Sequence, residues 1–188
     1  MENLSCEEIL KKNTKLESEN LILRPFKLED SEDVLEYAKD TKVTKYLTWE
    51  SFYTIEDAEK TIKNYYLTRS NAYAIELKCL KKCIGCIEII VDNKNNKGTF
   101  GYLLNSKYWG RGIMTEALKT ILDFSFNKLN LNRVEGCHYV GNEGSGKVQQ
   151  KVGMKYEGTG IEEVLVKGKY YDVVHYGITK KQYKEIYG

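Results

Sequence analysis

The sequence predicts a single-domain α/β protein in which a mixed, mostly antiparallel sheet of about seven strands is flanked by helices. Its 188 residues, 41% hydrophobic and 30% charged, have the composition of one globular domain that buries a full core. Three strand-like runs follow one another in the middle of the chain, which is typical of antiparallel strands joined by short turns. At residues 110–112 the apolar pattern changes from that of a strand to helical spacing.

The chain opens with a polar segment. Residues 1–18 are rich in lysine and glutamate, so we predict a short leader there and place the domain at residues 19–188. Apolar residues that alternate from Leu21 predict the first strand. In residues 28–38 the apolar side chains share one helical face and acidic residues stand near the start, which predicts the first helix of the domain.

The middle of the chain predicts a helix followed by an antiparallel meander. An aromatic loop at residues 45–49 precedes a helix that begins at residue 54 or 55 and continues to about residue 69. The polar turn at residues 92–98 joins two strands of the meander. The three strands of the meander are residues 72–77, 83–91 and 99–104.

The last part of the chain predicts two helices and the remaining strands. Apolar residues recur at helical spacing from Ile113 to Leu129, and a second helix, residues 142–152, ends at Gly153. Further apolar runs complete the sheet at residues 133–140, 155–159, 162–166 and 170–179.

A short glycine-rich loop marks the start of the helix at Ile113. A helix start exposes unpaired backbone N–H groups with partial positive charge, and glycines let an anion approach them closely. Gly110 and Gly112 stand there on either side of Arg111, whose charge adds to that field. The loop has neither the Gly-Lys-Ser/Thr ending nor the third glycine of the familiar nucleotide loops. It is therefore interpreted either as a pyrophosphate cradle or as an ordinary turn.

The segment Tyr-Trp-Gly-Arg-Gly-Ile-Met-Thr-Glu-Ala-Leu, residues 108–118, resembles the coenzyme A pyrophosphate motif of the GNAT acetyltransferases. Its Trp-Gly-Arg-Gly form is similar to that of the ribosomal-protein N-terminal acetyltransferases, the RimJ/RimL-like branch. The chain departs from the motif at Met114, where many relatives carry Gly or Ala, and at Ser106, where many carry Pro. Other resembling segments, at residues 19–26, 140–145 and 151–154, extend the resemblance to about residues 19–179.

The resemblance implies that acetyl-CoA is the cosubstrate, that no metal takes part and that the amine attacks the thioester directly. It also implies a splayed fourth strand, whose backbone N–H groups pair with the pantetheine and support the developing oxyanion. Asn142 is equally interpreted as a pantetheine ligand or as a helix N-cap. The residues expected to bind coenzyme A are Tyr102, Leu103, Leu104, Trp109, Gly110, Arg111, Gly112, Ile113, Met114, Thr115, Asn142, Ser145 and Lys147.

The resemblance further places proton donors and acceptors. Ser145 lies one helical turn beyond Asn142, where relatives carry a hydroxyl that protonates the departing thiolate, so it is predicted as the general acid. The general base is left open between Glu88, Glu162, Glu163 and a water chain. Glu88 is flanked by isoleucines in an interior strand, and apolar surroundings suit a base that works near neutrality. Glu162 and Glu163 stand near the acidic position of the family.

The acceptor is expected to be a primary amine. A protein N-terminus, such as that of a ribosomal protein, is the first choice, and a small-molecule amine (an antibiotic, a polyamine or an amino acid) is the alternative. A coenzyme A-binding module without catalysis is a third possibility, for which the unusual Gly144 and Gly146 around Ser145 are the hint. Tyr46 and Trp49 are predicted to contact the acceptor, unless they only pack over the sheet.

Two other patterns invite a functional interpretation. Cys83 and Cys86 form a Cys-x-x-Cys pair, but residues three apart in a strand are expected on opposite faces, so we interpret them as structural thiols and predict no metal. His138 and His175 lie in separate apolar strands without a nearby nucleophile and are interpreted as packing or surface residues.

Net charge and hydropathy limit the classes of partner that the sequence gives reason to expect. A net charge of +2 gives no reason to expect direct nucleic-acid or membrane binding, and no run approaches the ~20 apolar residues of a membrane span. Five scattered cysteines fit free thiols in a reducing compartment, so a cytoplasmic protein is expected, either monomer or homodimer.

Overall fold

The computed structural model describes residues 4–188 and contains one eight-stranded sheet in the order β1-β2-β3-β4-β5-β6-β8-β7. Neighbouring strands are antiparallel except β5 and β6, which are parallel. The predicted fold class is therefore confirmed. The strands are β1 (Leu16–Glu17), β2 (Leu21–Arg24), β3 (Ala72–Leu77), β4 (Lys82–Asp92), β5 (Lys97–Leu104), β6 (Arg133–Tyr139), β7 (Lys155–Val166) and β8 (Lys169–Thr179).

The helices cover both faces of this sheet. They are α1 (Cys6–Lys12), α2 (Ser31–Ala38), α3 (Thr41–Thr44), α4 (Ile55–Thr61), α5 (Ile113–Asn127), α6 (Glu143–Lys151) and α7 (Lys180–Tyr187). Helix α4 continues through a π-helical turn, Ile62–Tyr66, so the predicted long second helix contains a change of pitch. Among residues 4–188, no helix combines the length and the hydrophobicity that crossing a membrane requires.

Two hydrophobic clusters separate the helices into layers. Residues of α1, α5 and α7 pack in one cluster with Ile84, Ile87 and Ile89 of β4. Residues of α2, α3 and α4 pack in the other, together with Cys83 and Cys86 of the same strand. The sheet thus lies between two helical layers, as the alternation of strands and helices in the sequence predicts.

The predicted leader packs onto the domain over most of its length. Residues 1–3 lie outside the described residues, but α1 begins in a capping box formed by Ser5 and Glu8. Leu10 of α1 is buried in the core, and the Tyr73 hydroxyl donates a hydrogen bond to the backbone carbonyl of Asn13 (3.2 Å). Leu10, together with partly buried apolar neighbours in the same segment, therefore packs the leader onto the domain, which its polar composition does not predict.

A bulge in β4 reverses the expected placement of the two cysteines. Glu76 pairs with Cys83 and the preceding Ile75 pairs with Gly85, so Ile84 is an extra residue in β4. The prediction that Cys83 and Cys86 face opposite sides is wrong, because the bulge shifts the alternation by one residue. Burial raises the pKa of both thiols, that of Cys86 to about 12, which keeps them neutral.

β5 and β6 separate after a short parallel ladder. Their register contains three pairs, from Lys97 with Arg133 to Thr99 with Glu135. Immediately beyond it, the ring of Phe100 occupies the space that a side chain at Gly136 would fill, so an aromatic ring stands between the two backbones. The strands diverge from there, and the edge of β5 toward β6 faces a wedge-shaped gap, as the predicted splayed strand requires. The splayed strand is β5 rather than a fourth strand, because the short β1 precedes the others in the sheet.

Candidate active site

The wedge between β5 and β6 opens into a cavity of about 1360 Å³ that continues over the α3 and α4 side of the sheet. It is large enough for a cofactor and a second substrate. Of the predicted site residues, Arg111 and Glu162 lie outside the cavity lining. The others line it: Tyr46, Trp49, Glu88, Tyr102, Leu103, Leu104, Trp109, Gly110, Gly112, Ile113, Met114, Thr115, Asn142, Ser145 and Lys147.

The glycine loop has the geometry of an anion cradle. Gly110 and Gly112 adopt left-handed backbone conformations, with φ of +75° and +78°, and Gly112 is the N-cap of α5. No atom of the described chain lies within 4 Å of the place where a side chain would begin at either glycine. The first N–H groups of a 15-residue helix therefore face open space. The guanidinium of Arg111 lies over the ring of Tyr108, 5.5 Å from its centre.

Hydrogen bonds to α2 hold the loop between β5 and α5. Asn105 is buried and donates from Nδ2 to Glu36 Oε1 (2.9 Å), while the Ser106 hydroxyl donates to Asp40 (2.5 Å). A hydrogen bond from Lys82 holds the pKa of Glu36 at about 2, so this carboxylate stays ionised at neutral pH. The prediction missed these supporting residues because their partners lie more than 60 residues away in the chain.

The end of β5 presents backbone rather than side chains to the wedge. Leu103 and Leu104 are both buried and belong to the clusters on opposite faces of the sheet. The indole N–H of Trp109 donates to the carbonyl of Leu104 (2.8 Å), which ties the strand end to the glycine loop. Edge N–H groups at this position are suitably placed for an extended ligand.

Two hydroxyl groups meet on the α6 side of the wedge. The hydroxyl oxygens of Tyr102 and Ser145 are 2.9 Å apart, and Gln149 donates from Nε2 to Ser145 Oγ (3.3 Å). Burial raises the pKa of Tyr102 to about 12, so its hydroxyl stays protonated at neutral pH. The Tyr102 side chain and Gln149 were not predicted. Gln149 lies four residues after Ser145, and this helical spacing is the one available signal.

Asn142 occupies the N-cap position of α6, and its backbone carbonyl accepts a hydrogen bond from Ser145 N (3.1 Å). Its side chain makes no capping hydrogen bond within the part of the chain that the structure describes. Asn142 thus lines the cavity, and its amide is not used to cap the helix.

The two unusual glycines of α6 have different surroundings. A side chain at Gly144 would meet open space, whereas a Cβ at Gly146 would lie 2.7 Å from Cε1 of His138. Burial lowers the pKa of His138, and its ring stacks near that of Tyr176. Gly146 therefore makes room for a neutral histidine in the cavity wall, which is a packing reason for a residue that weakens the helix.

This difference predicts opposite effects of two alanine substitutions. Gly144→Ala is expected to stabilise the protein by about 0.5–1 kcal/mol through helix propensity. Gly146→Ala is expected to destabilise it by about 1–3 kcal/mol because the methyl group collides with His138. Urea unfolding of both variants measures the difference, and equal stabilisation by the two would contradict the packing explanation.

The carboxylates proposed as bases are far apart. Glu88 of β4 is half-buried in the cavity wall, where its Oε2 accepts a hydrogen bond from the hydroxyl of Tyr65 (3.2 Å). Glu162 lies in the edge strand β7, exposed and with φ of +47°, and its N–H donates to Asp172 (2.8 Å). The structure thus brings Glu88, and not Glu162, into the cavity with Ser145.

Tyr46 and Trp49 both line the cavity and both pack. The Tyr46 hydroxyl donates to the carbonyl of Gly141 (2.7 Å), across the cavity on the turn before α6. The Trp49 ring lies 4.9 Å from that of Phe52. Each of the two interpretations of these residues therefore has support.

A metal site built from side chains needs several histidine, cysteine or acidic residues close together. Within residues 4–188, no three or more of them come together in a way that would hold a metal ion. Cys83 and Cys86, although on one face, stand without further ligands in this part of the chain.

Comparisons with known proteins agree with this geometry. Residues 20–155 match the family model described as an acetyltransferase (GNAT) domain. An uncharacterised N-acetyltransferase of Bacillus licheniformis, p20, is 31% identical over 89% of this chain and 97% of its own. A putative ribosomal N-acetyltransferase of Bacillus subtilis, YdaF, is 34% identical over about half of each chain, and a spermidine N(1)-acetyltransferase of Escherichia coli is 24% identical over 86% of this chain and 87% of its own.

A solved structure shares the fold over nearly the whole domain. The GNAT-family acetyltransferase of Bacillus anthracis superposes with a TM-score of 0.81 and 25% identity, covering 89% of this chain and 99% of its own. The family match takes in the splayed strand, the glycine loop and α5. The chain therefore belongs to the GNAT family and is an acetyltransferase.

Proposed function

We propose that this enzyme transfers the acetyl group of acetyl-CoA to a primary amine, preferentially the α-amine of a protein N-terminus, as in the RimJ/RimL-like branch. One observation carries the proposal: a single cavity joins the anion cradle of α5, the free edge of β5, the Ser145 hydroxyl and the carboxylate of Glu88. These are the groups that direct acetyl transfer from a thioester needs.

The residues present fit coenzyme A. The N–H groups that begin at Gly112 would hold the pyrophosphate, and the left-handed glycines leave the approach open. Lys147 lines the same cavity and would meet a phosphate, while Asn142 and the β5 edge would align the pantetheine arm. When bound, the cosubstrate supplies an activated acetyl group as a thioester.

The chain's own groups then serve the transfer. The backbone N–H groups at the end of β5 donate to the oxygen that becomes negative as the amine attacks. Ser145 gives its proton to the departing thiolate, and the adjacent Tyr102 hydroxyl, held 2.9 Å away, keeps a proton available to Ser145. Gln149 fixes the serine side chain from its other side.

Glu88 is the base that this proposal favours over Glu162, because it lines the cavity and Glu162 does not. Its carboxylate lies on the face of the sheet that carries α4, and Tyr65 orients it. Glu88 would accept the proton of the incoming ammonium, directly or through water.

Amine chemistry favours an N-terminus as the acceptor. A peptide α-amine has a pKa of about 8 and a lysine side chain about 10.4, so the α-amine is the neutral nucleophile far more often near pH 7. The resemblance to a putative ribosomal N-acetyltransferase points the same way. We place this reaction in the cytoplasm, where the five unpaired cysteines would remain reduced.

The test uses two peptides of the same length that differ only in the group that offers a free amine. One has a free N-terminal serine and no lysine, and the other has a blocked N-terminus and one internal lysine. We expect acetylation of the first at least about 10-fold faster near pH 7, because hundreds of times more of its amine is neutral. Mass spectrometry locates the acetyl group. Modification mainly on lysine, or of small amines alone, would contradict the N-terminal assignment and leave acetyl transfer intact.

A further inference from the structure

We infer that the acceptor carries negative charge beside its amine, and specifically that the preferred N-termini have acidic residues directly after the first position. This inference rests on the proposed acetyl transfer to an N-terminus and names the class of N-terminus. It depends on the charges that surround the acceptor half of the cavity, which lies over α3 and α4.

Three lysines line that half. Lys42 is in α3, Lys45 is the first residue after α3, and Lys60 is in the last turn of α4. The ammonium of Lys45 lies 4.8 Å from the centre of the Tyr46 ring, which holds it at the cavity wall. Within residues 4–188, none of the three makes an ion pair with a carboxylate.

The opposing negative charge in this half is small. Glu88 is the carboxylate that lines the cavity on the α4 side, and it lies on the sheet rather than at the entrance. Asp40 and Asp57 lie near Lys42 and Lys60, but both are outside the cavity lining and neither forms an ion pair with these lysines. The lining of this half therefore presents a net positive charge to whatever extends from the reacting amine. Cavities lined by one sign of charge attract ligands of the opposite sign and repel those of the same sign.

This arrangement separates the acceptor classes that the comparisons leave open. A polyamine keeps one or more ammonium groups after one amine has become neutral, and these would approach the three lysines. An N-terminus followed by aspartate or glutamate would instead place a neutral amine near Glu88 and carboxylates near Lys42, Lys45 and Lys60. The charge pattern matches the second acceptor and opposes the first.

The experiment compares peptides Ser-Asp-Glu, Ser-Asn-Gln and Ser-Lys-Lys with a common uncharged tail at low salt. We expect kcat/KM for the acidic peptide to exceed that for the basic peptide by about 10-fold or more, and the ratio to fall several-fold at high salt as screening increases. The combined variant Lys42→Gln, Lys45→Gln, Lys60→Gln is expected to bring the ratio within about two-fold.

A control variant removes the same number of positive charges outside the cavity. Lys39, Lys63 and Lys119 are exposed and lie outside the cavity lining, so replacing all three by glutamine is expected to leave the ratio unchanged. Equal or faster acetylation of the basic peptide, or a ratio that both variants lower equally, would overturn the inference. Acetyl-CoA turnover on the neutral peptide shows that each variant is folded and active.

The experiment distinguishes failure of the N-terminal proposal from failure of the charge inference. If no peptide reacts but small amines do, that proposal is overturned, and O-phosphoethanolamine against putrescine decides the charge inference. Preference for the phosphate-bearing amine, lost in the cavity variant and kept in the control, would support it. Preference for the diamine would overturn it.

Discussion

Gly112→Asp is expected to abolish detectable acetyl-CoA binding. The substitution places a carboxylate at the N-cap of α5, where the backbone N–H groups would receive the pyrophosphate. Repulsion between that carboxylate and the phosphates adds to the loss of close approach. Because phosphate groups supply much of the charge that the cradle would recognise, a loss of at least about 100-fold in affinity is expected. Calorimetry on the folded variant measures it.

The hairpin between β7 and β8 provides a matched control. Gly168 has φ of +76°, and a side chain there would also meet no atom of the described chain within 4 Å. Gly168→Asp therefore imposes the same backbone strain of about 1–2 kcal/mol away from the cavity. It should lower the free energy of unfolding about as much as Gly112→Asp and leave acetyl-CoA affinity intact. Undiminished affinity of Gly112→Asp would mean that the loop is only a turn.

Ser145→Ala is expected to lower kcat by about 100-fold while changing acetyl-CoA affinity by no more than a few-fold. The hydroxyl would act on the leaving thiolate, whose charge develops only in the transition state, so its loss affects turnover rather than ground-state binding. Single-turnover measurement of thiol release with a reactive amine separates the chemical step from product release. Wild-type turnover in the variant would remove Ser145 from the mechanism.

Tyr102→Phe is the comparison that assigns the proton to one of the two hydroxyls. It keeps the ring that packs beside Phe100 and removes only the oxygen 2.9 Å from Ser145 Oγ. If Ser145 is the donor and Tyr102 supports it, Tyr102→Phe should lower kcat by about 10-fold, less than Ser145→Ala does. If Tyr102→Phe lowers kcat more than Ser145→Ala does, the proton donor is Tyr102.

The sequence by itself determined the class of fold and the place of the glycine loop. These features depend on neighbours in the chain: apolar spacing defines β5 and α5, and adjacent glycines define the turn between them. The GNAT family and acetyltransferase activity were predicted from the same local motif and are confirmed. The short helix α7 escaped prediction because its eight residues, Lys180–Tyr187, bury one side chain, Tyr183.

Only the tertiary structure decided which distant groups meet. The bulge at Ile84 is a property of two paired strands, and it put Cys83 and Cys86 on one face against the expected alternation. Cross-strand placement brought Glu88 into the cavity and left Glu162 at the sheet edge. The contact of Tyr102 with Ser145 joins residues 43 apart in the chain. Local periodicity fixes how a segment folds, but the strand pairing and helix packing that bring remote side chains together arise from interactions between segments, which no single stretch of sequence contains.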